Sequence, residues 1–340
     1  MNLPIIPRSP FGKNEKNDNC TVIRDIATLC EQLQLPESLQ KEAINTESSF
    51  PLRVSHSFGE QIEAGNPNDP LLLQILPRTC ENEQVEGFSN DPVGDLDNTV
   101  SHGVIHKYHN RVLLTVTGAC AIHCRYCFRR NFPYSSENPR RDHWDGALRY
   151  IRQHTEIEEV ILSGGDPLML ELDNLRELVE QIEKIDHVVR IRIHTRIPVV
   201  APEMVNRNML AWLKTIPLPL VMVIHSNHPN ELSAEVVATL SRLAQAGVRL
   251  FNQSVLLKGV NDDPQTLADL SNRLFDAGVQ PYYLNLLDRA HGTAHFEVSD
   301  EQTKEIISRL QTLLPGYLLP KVVRDRGNNR GKVVFGLESL

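Results

Sequence analysis

The sequence predicts an α/β protein built on a partial (β/α)6 TIM-like barrel, preceded by a helical and loop-rich extension. The main observation is that six apolar, strand-like runs alternate with six stretches of helical spacing between residues 110 and 315. Such alternation indicates a parallel sheet, which right-handed crossovers curl into a barrel or a doubly wound sheet. In addition, four of the six helical stretches begin near Asp, Ser or Pro, as helices often do.

The parts of the chain outside this alternating region differ from it in composition. Residues 1–20 are polar and rich in Pro, Asn and Lys, which favours a loosely ordered arm. Residues 21–48 have apolar positions at helical intervals, whereas residues 49–100 are rich in Pro, Asn, Asp and Gly. We therefore predict a helical and loop-rich extension over 1–100, the barrel over 101–315 and a C-terminal segment over 316–340.

Each of the six predicted units pairs one strand with one helix. The first strand is RVLLTVT (111–117), and its helix lies within RRDHWDGALRYIRQH. The next five pairs are EEVILSGG with LDNLRELVEQIEKI, VVRIRIHT with EMVNRNMLAWLKTI, LVMVIHS with ELSAEVVATLSRLAQAG, VRLFNQSVLL with DPQTLADLSNRLFDAG, and VQPYYLNLL with DEQTKEIISRLQTLL. Because such barrels carry their chemistry at the carboxyl ends of the strands, we expect the functional residues there.

Composition and charge restrict the class of protein. Of the 340 residues, 41% are hydrophobic and 23% charged, which is ordinary for a globular enzyme. The 43 acidic and 35 basic residues give a formal net charge of −8, whereas nucleic-acid binding draws on a positive excess. The N-terminus lacks the apolar core of a secretory signal, and no run of about 18 apolar residues occurs. We therefore expect a soluble cytoplasmic protein that binds neither nucleic acid nor membrane.

Three of the six cysteines lie within eight residues of one another in ACAIHCRYCFRR (119–130), which follows the first strand. Because thiols stay reduced in the cytoplasm, clustered cysteines favour metal binding or catalysis over disulfides. A disulfide would leave one thiol over, and a redox sensor needs only one or two thiols. Structural zinc needs four ligands, and although His123 is available, the spacing is not that of a zinc ribbon or finger. Cys20, Cys30 and Cys80 are scattered singly and are interpreted as structural.

Cys120, Cys124 and Cys127 are suited to three corners of a [4Fe–4S] cluster. Four cysteines would close such a cluster for electron transfer, whereas three leave one iron atom able to bind a small molecule. An open coordination position is what makes a bound metal catalytic. The sequence therefore predicts a catalytic iron–sulfur cluster at the end of the first strand.

This CxxxCxxC pattern at the end of a first barrel strand resembles the radical SAM superfamily. The resemblance implies that the open iron binds S-adenosylmethionine and that one electron cleaves it to a 5′-deoxyadenosyl radical. The stretch ILSGGDPL (161–168) ends the second strand, and on its own it is typical of a tight turn between strand and helix. Behind the cysteines it resembles the superfamily motif that contacts the methionine moiety, which gives four cofactor-binding candidates: Ser163, Gly164, Gly165 and Asp166.

Over about residues 50–335 the chain is more narrowly similar to the lysine 2,3-aminomutase family. The supporting stretches are DPVGD, HNRVLLTVTGACAIHCRYCFRR, VILSGGDPL, RIPVVAP, NHPNEL, NQSVLLKGVND and PYYLNLLDRAHGTAHF. That family also uses pyridoxal 5′-phosphate (PLP). The resemblance places PLP covalently on Lys332, in the glycine-punctuated loop RDRGNNRGKVVFG (324–336) beyond the last helix. The chain departs from the family in GNNRG, where relatives commonly have consecutive glycines.

The resemblance also assigns residues to the substrate, and the phosphate of PLP needs hydrogen-bond donors. A carboxylate favours a bidentate guanidinium, and Arg129 matches the arginine that binds the substrate carboxylate in the family. Asp288 and Asp325 match the family's carboxylates for the side-chain ammonium of lysine, which needs counter-charges when it is buried. His225 and His228 are expected to shape the SAM site or to pack. The candidate donors to the PLP phosphate are Lys107, Arg111 and Gln253.

The function favoured by these residues is that of a radical SAM, PLP-dependent aminomutase that converts L-lysine to β-lysine. The same machinery acting on glutamate or another amino acid is a second interpretation, and glutamate would need a cation where the two aspartates lie. A non-enzymatic iron–sulfur sensor or RNA-interacting scaffold is a third, and it would have little use for both cofactors.

The short chain is most similar to bacterial family members that make (R)-β-lysine for modification of translation elongation factor P. This resemblance implies two kinds of partner. A lysyl-tRNA-synthetase-like ligase would attach the product to the factor, and an electron donor such as flavodoxin or ferredoxin would reduce the cluster.

Overall fold

The structure is a computed structural model, and it describes residues 22–46, 50–134, 144–325 and 331–336. Within these ranges the strands form one ten-stranded sheet and a separate two-stranded ladder. Seven neighbouring strands of the large sheet are parallel, and antiparallel strands border them on both sides. Over the described residues the sheet does not close on itself, which agrees with the predicted partial barrel.

The N-terminal extension is built from short helices and the two-stranded ladder. In chain order its elements are β1 (Val22–Ile23), α1 (Ile26–Gln32), α2 (Glu37–Asn45), β2 (Val54–Ser55), α3 (His56–Gly59) and α4 (Pro70–Leu73). The side chains of Asp25 and Asp69 accept hydrogen bonds from backbone N–H groups in the first turns of α1 and α4, which fixes where these helices begin. The helices predicted between residues 21 and 48 are confirmed as α1 and α2.

Strand and helix alternate six times after a hairpin of β3 (Thr99–Ser101) and β4 (Val104–Tyr108). The units are β5 (Arg111–Thr117) and α5 (Asp145–Gln153), β6 (Glu159–Gly164) and α6 (Leu172–Glu183), β7 (Arg190–Thr195) with α7 (Ile197–Val200) and α8 (Arg207–Leu213), β8 (Leu220–Ile224) and α9 (Ala234–Gln245), β9 (Arg249–Val255) and α10 (Pro264–Asp276), and β10 (Gln280–Asn285) and α11 (Asp300–Leu313). All six predicted units are confirmed, although residues 140–143 of the first predicted helical stretch lie outside the described residues. No helix in the described part of the chain is both long and apolar enough to span a membrane.

The C-terminal segment contributes strands that the sequence analysis did not predict. β11 (Lys321–Asp325) is a seventh parallel strand beside β10, and β12 (Lys332–Val334) is antiparallel to β11. The prediction of a loop at Lys332 was therefore wrong, because Lys332 begins β12 and lies opposite Asp325 in the ladder. Both strands are too short to show a strand pattern in the sequence, and their conformation is decided by pairing, of β11 with β10 and of β12 with β11.

The main hydrophobic core lies between the sheet and its helices and continues into the extension. On β5 the side chains of Val112, Leu114 and Val116 are fully buried, whereas Arg111 is partly exposed. Alternate residues of a strand point to opposite faces of the sheet, so these three valine and leucine side chains face the helices and Arg111 faces the barrel interior. Phe58 of α3 belongs to the same buried cluster, so the extension packs directly on the barrel.

The carboxyl ends of the parallel strands meet along one edge of the sheet, where polar residues follow them. These residues are 120–127 after β5, 163–166 at the end of β6, 195–196 at the end of β7, 225–228 after β8, 288 after β10 and 325 at the end of β11. Polar residues therefore gather at the edge of the sheet where the sequence analysis predicted the functional residues.

Candidate active site

The cysteine loop follows β5 and is fixed by backbone hydrogen bonds. The N–H of Cys127 donates to the carbonyl of Cys124 at 3.0 Å, which makes a tight turn between the two thiols. The N–H of Arg125 donates to the carbonyl of Gln74 at 2.8 Å, just after α4 of the extension. The shape of the loop is therefore set partly by residues far away in the sequence.

A buried carboxylate, Glu81, locks this loop to the extension. Glu81 accepts hydrogen bonds from Nε of Arg125 at 2.8 Å and from Nη2 of Arg130 at 2.7 Å. Burial raises the pKa of Glu81, but the two guanidinium groups outweigh it and lower the pKa overall. Because one carboxylate neutralises two buried cations, its loss would leave both of them uncompensated.

The three clustered thiols interact with one another and with an arginine. Cys120, Cys124 and Cys127 are all unbridged and partly exposed. Burial raises the pKa of Cys127 to about 11, and the nearby thiol of Cys124 contributes to the rise. Burial and the other two thiols likewise raise the pKa of Cys120. Nη1 of Arg196 donates to Sγ of Cys124 at 2.8 Å. In the described parts of the chain no three His, Cys, Asp or Glu side chains form a group of ligands for a single metal ion.

Gly164 and Gly165 allow the end of β6 to pack against the backbone that leads to the cysteines. A Cβ on Gly164 would lie 2.4 Å from the carbonyl oxygen of Thr117, and a Cβ on Gly165 would lie 2.4 Å from that of Ala119. Gly164 also has a φ of +126°, which residues with a side chain rarely adopt. These glycines were predicted to contact S-adenosylmethionine, and in the structure they allow close packing of the backbone that leads to Cys120.

We expect Gly164→Ala to lower the free energy of unfolding by about 2–5 kcal/mol, because steric overlap adds to backbone strain. Gly247→Ala is the matched control, since Gly247 has a φ of +89° but no atom within 4 Å of the place where a Cβ would lie. Backbone strain alone should cost this control about 1–2 kcal/mol. Urea unfolding followed by circular dichroism measures both variants, and equal losses would contradict the role assigned to close packing.

Asp166 anchors the turn after β7. Its buried carboxylate accepts hydrogen bonds from Oγ1 of Thr195 at 2.7 Å and from the backbone N–H of Arg196 at 2.6 Å. Burial raises the pKa of Asp166 to about 6, although these hydrogen bonds act in the opposite direction. Asp166 therefore positions Arg196, whose guanidinium reaches Cys124.

Lys332 is an exposed residue, but its amine contacts two side chains of β10. Nζ donates a hydrogen bond to Oδ1 of Asn285 and lies 5.0 Å from the centre of the Tyr283 ring. Desolvation lowers the pKa of this amine, whereas the nearby carboxylates of Asp288 and Asp325 oppose the shift. A lowered pKa favours the neutral amine, which is the form that reacts with an aldehyde.

Asp288 and Asp325, the two carboxylates that act on this amine, both line a cavity of about 210 Å³. Asp325 lies opposite Lys332 in the β11–β12 ladder, and its Oδ1 accepts a hydrogen bond from Nζ of Lys107 at 2.7 Å. Burial raises the pKa of Asp288 to about 7; Lys332 acts against this rise and Asp325 adds to it. A cation bound beside Asp288 would therefore favour its ionised form.

Arg129 is buried and forms an ion pair with Asp95, a carboxylate that also acts electrostatically on Asp288. Its Nε donates to Oδ2 of Asp95 at 2.7 Å, and its Nη1 lies 3.3 Å from Oγ of Ser163, to which it donates. Burial lowers the pKa of Arg129, but Asp95 outweighs it and raises the pKa overall. A guanidinium has five N–H donors, and these two contacts leave others available to a carboxylate.

The three residues predicted to bind a phosphate lie on different strands. Lys107, on β4, also donates from Nζ to a backbone carbonyl at 2.8 Å, so it is already engaged twice within the protein. The guanidinium of Arg111 stacks 3.8 Å above the centre of the Tyr108 ring. Gln253 lies beside Tyr283 in the β9–β10 ladder. Lys107 is therefore bound to Asp325, whereas Arg111 and Gln253 lie beside tyrosine residues.

The histidines on β7 and after β8 take different positions. Nε2 of His225 is hydrogen-bonded to the Tyr126 hydroxyl at 2.8 Å, and the two rings stack. Nδ1 of His228 accepts from the N–H of Asn230, so His228 caps a turn. Nε2 of His194 is buried and has no hydrogen-bond partner within the described residues. Such an orphaned polar atom marks a place where a bound group would supply the missing partner.

Known proteins match this chain over most of its length. The radical SAM superfamily profile matches residues 114–270. Among solved structures, a radical SAM methyltransferase from Sphaerobacter thermophilus is 17% identical with a TM-score of 0.48, over 66% of this chain and 69% of that one. The L-lysine 2,3-aminomutase of Escherichia coli is 46% identical over 85% of this chain and 84% of that protein. The L-lysine 2,3-aminomutase of Haemophilus influenzae is 43% identical over 98% of this chain and 99% of that protein. The chain belongs to the L-lysine 2,3-aminomutase family.

The cofactors of this aminomutase family are a [4Fe–4S] cluster, S-adenosylmethionine and PLP, and the described residues fit them. In a cluster each thiolate binds its own iron atom, so the three cysteine thiols need not converge on one point. Nε of Arg196, beside Cys124, is a buried donor with no partner among the described residues, as expected next to a group that binds later. Similarly, the amine of Lys332 could bind PLP, and Nε2 of His194 is a buried polar atom that still needs a hydrogen-bond partner.

Several residues of the aminomutase site were missed by the sequence analysis. Asn285, which holds the Lys332 amine, lies two residues after Tyr283 on the same face of β10, so strand alternation was a usable signal. Arg196 follows β7 as the cysteines follow β5, so the strand-end rule also applied to it. Asp95 and Glu81 lie in the irregular extension, where no periodic pattern indicated them.

Proposed function

We propose that this chain is a radical SAM, PLP-dependent aminomutase that converts L-lysine to β-lysine. The observation that carries the proposal is the grouping of Lys332 with two carboxylates, Asp288 and Asp325, together with the guanidinium of Arg129, whose partner Asp95 also acts on Asp288. This group has a counter-charge for each charged end of a lysine molecule. The names of the Escherichia coli and Haemophilus influenzae relatives support the same substrate.

The protein's share of the work begins with orienting the substrate. Asp288 and Asp325 hold the side-chain ammonium, and Arg129 holds the α-carboxylate. Because Asp95 fixes Nε of Arg129, the remaining guanidinium N–H groups present a constant direction to that carboxylate. Binding at both ends restricts the carbons between them to one path, which is how positioning lowers the barrier of a reaction.

Lys332 is the residue that would hold PLP, and Asn285 keeps its amine in place before PLP binds. When bound, the cluster, S-adenosylmethionine and PLP supply the radical and the π system for migration of the amino group. Arg111 and Gln253 would bind the phosphate. The walls of the barrel would exclude water from the radical species.

We further propose that the product is (R)-β-lysine and that it serves the modification of translation elongation factor P in the cytoplasm. A lysyl-tRNA-synthetase-like ligase would use the product, and a flavodoxin or ferredoxin would donate the electron. The support is the resemblance of the sequence motifs to those of bacterial family members that have this role.

An anaerobic assay tests the proposal. The iron-reconstituted protein is incubated with S-adenosylmethionine, PLP, a strong reductant and, separately, L-lysine, L-glutamate or L-alanine, and chiral chromatography identifies the β-amino acids. β-Lysine from lysine alone is the expected result, and its isomer tests the proposed pathway. β-Glutamate would instead favour the second interpretation, and 5′-deoxyadenosine without any β-product would remove free lysine as the substrate.

We expect kcat/KM for L-lysine to fall about tenfold per pH unit below pH 7, since kcat/KM reports ionisation of the free enzyme. Above its pKa of about 7, Asp288 is a carboxylate that attracts the ammonium; below it, the side chain is neutral. Asp288→Asn should lower kcat/KM by about 10–100-fold, the worth of a charge-assisted hydrogen bond, and should remove this acid limb. Asp276→Asn, at an exposed position ending α10, is the control, and a limb that persists in Asp288→Asn would refute the assignment.

A further inference from the structure

We propose that Arg196 sets the reduction potential of the iron–sulfur cluster through its hydrogen bond to the Cys124 thiolate, and that Glu231 moderates this effect. The inference rests on the cluster that the proposed function requires, and it concerns the protein's own residues around it. Arg196 is a positioning residue in this proposal, because it acts on the cluster through Cys124.

The guanidinium of Arg196 lies between a thiol and a carboxylate. Nη1 donates to Sγ of Cys124 at 2.8 Å, and Nη2 donates to Oε2 of Glu231 at 2.9 Å and to Oε1 of Gln74 at 2.8 Å. Arg196 is only 6% exposed and Glu231 is fully buried, so solvent screens neither charge effectively. The charge of Arg196 is therefore shared between Cys124 and Glu231.

Other residues fix the positions of both Glu231 and Arg196. Oε1 of Glu231 accepts hydrogen bonds from the N–H of Asn227 at 2.9 Å and from Nε2 of Gln74 at 3.1 Å, which fixes the carboxylate. The guanidinium of Arg196 also lies 5.3 Å from the centre of the Phe58 ring. With its backbone N–H bound to the Asp166 carboxylate, Arg196 is constrained at both ends. A cation fixed in this way acts on the thiolate continuously.

The expected direction of the effect follows from charge. Reduction adds one electron, from a low-potential one-electron donor, to the oxidised cluster and changes no other bond. The reduced cluster carries one more negative charge, part of which resides on its thiolates. A hydrogen bond from a cation stabilises that form more than the oxidised form, and hydrogen bonds to the sulfur atoms are known to tune such potentials. Arg196 therefore raises the potential, and Glu231, which neutralises part of the charge on Arg196, lowers it.

Two substitutions are expected to shift the midpoint potential in opposite directions. The reconstituted wild type, Arg196→Gln and Glu231→Gln are poised anaerobically at set potentials without S-adenosylmethionine, lysine or PLP, and electron paramagnetic resonance gives the fraction of reduced cluster. At the wild-type midpoint, the ratio of reduced to oxidised cluster should fall about tenfold in Arg196→Gln, equivalent to about 59 mV for one electron. The same ratio should rise in Glu231→Gln.

Two further variants and an iron and sulfide analysis complete the test. Arg196→Lys keeps the positive charge and should restore most of the shift, and Arg207→Gln, at an exposed position at the start of α8, should leave the midpoint unchanged. Wild-type midpoints in both main variants, or shifts in the same direction, would overturn the proposal. If Arg196→Gln binds no cluster, Glu231→Gln and Arg196→Lys decide the question, and loss of the cluster from all three would assign Arg196 a structural role instead.

The measurement separates this proposal from the proposed function. It needs neither lysine nor PLP, so a negative aminomutase assay would leave its outcome valid. Unchanged midpoints in proteins that still form β-lysine would overturn the role of Arg196 alone.

Discussion

Cys124→Ala is expected to remove both the iron–sulfur cluster and the formation of β-lysine. Two thiolates would remain for a cluster that the sequence provides with three protein ligands. The substitution would also take the thiol away from Nη1 of Arg196, which leaves a buried guanidinium with one partner fewer. Iron and sulfide per chain, visible absorbance and chiral chromatography of the product measure the two losses.

Cys80→Ala is the control for this prediction, because Cys80 is an unbridged, partly exposed cysteine outside the loop. It should keep the cluster and wild-type turnover. Circular dichroism of Cys124→Ala distinguishes loss of the cluster from loss of the fold. Full activity of Cys124→Ala would rule out the proposed mechanism.

Lys332→Ala is expected to lower β-lysine formation by at least about 10³-fold, the scale of rate that correct positioning of reactants contributes. The cluster should remain, because Lys332 lies on β12 and makes its side-chain contact with Asn285 rather than with the cysteine loop. What should disappear is the visible absorbance that PLP gains when it is bound to a lysine. The measurement is therefore a spectrum with PLP added, taken beside an iron and sulfide analysis and the product assay.

Lys258→Ala is the matched control for Lys332→Ala, because Lys258 is exposed and lies after β9. It should bind PLP and turn over like the wild type. A spectrum of Lys332→Ala identical to that of the wild type would remove Lys332 from its proposed role. The two substitutions distinguish the roles of the cluster and PLP. Cys124→Ala should abolish the cluster and turnover, whereas Lys332→Ala should abolish PLP binding and turnover.

The acidic pair shows why side-chain roles were harder to predict than the fold. Asp288 and Asp325 were selected by resemblance, and in the structure both line one cavity and both act electrostatically on Lys332. It also pairs Asp325 with Lys107, a residue that the sequence analysis assigned to the phosphate. Lys107 and Asp325 are 218 positions apart, and no local pattern relates residues at such a distance.

Local patterns in the sequence determined the six strand–helix units and the cysteine triad after the first strand, whereas Lys332 was selected by resemblance to the aminomutase family. The period of the hydrophobic residues shows which side chains face the core, and the spacing of the cysteines shows which residues follow a strand. Both can therefore be recognised within a short stretch of the sequence. The tertiary structure alone decided that β11 and β12 complete the sheet, that Lys332 lies opposite Asp325, and that Arg196 reaches a thiol 72 residues away. The physical reason is that hydrogen bonds and ion pairs act over a few ångströms in space, whatever the separation along the chain, and only folding brings their partners together.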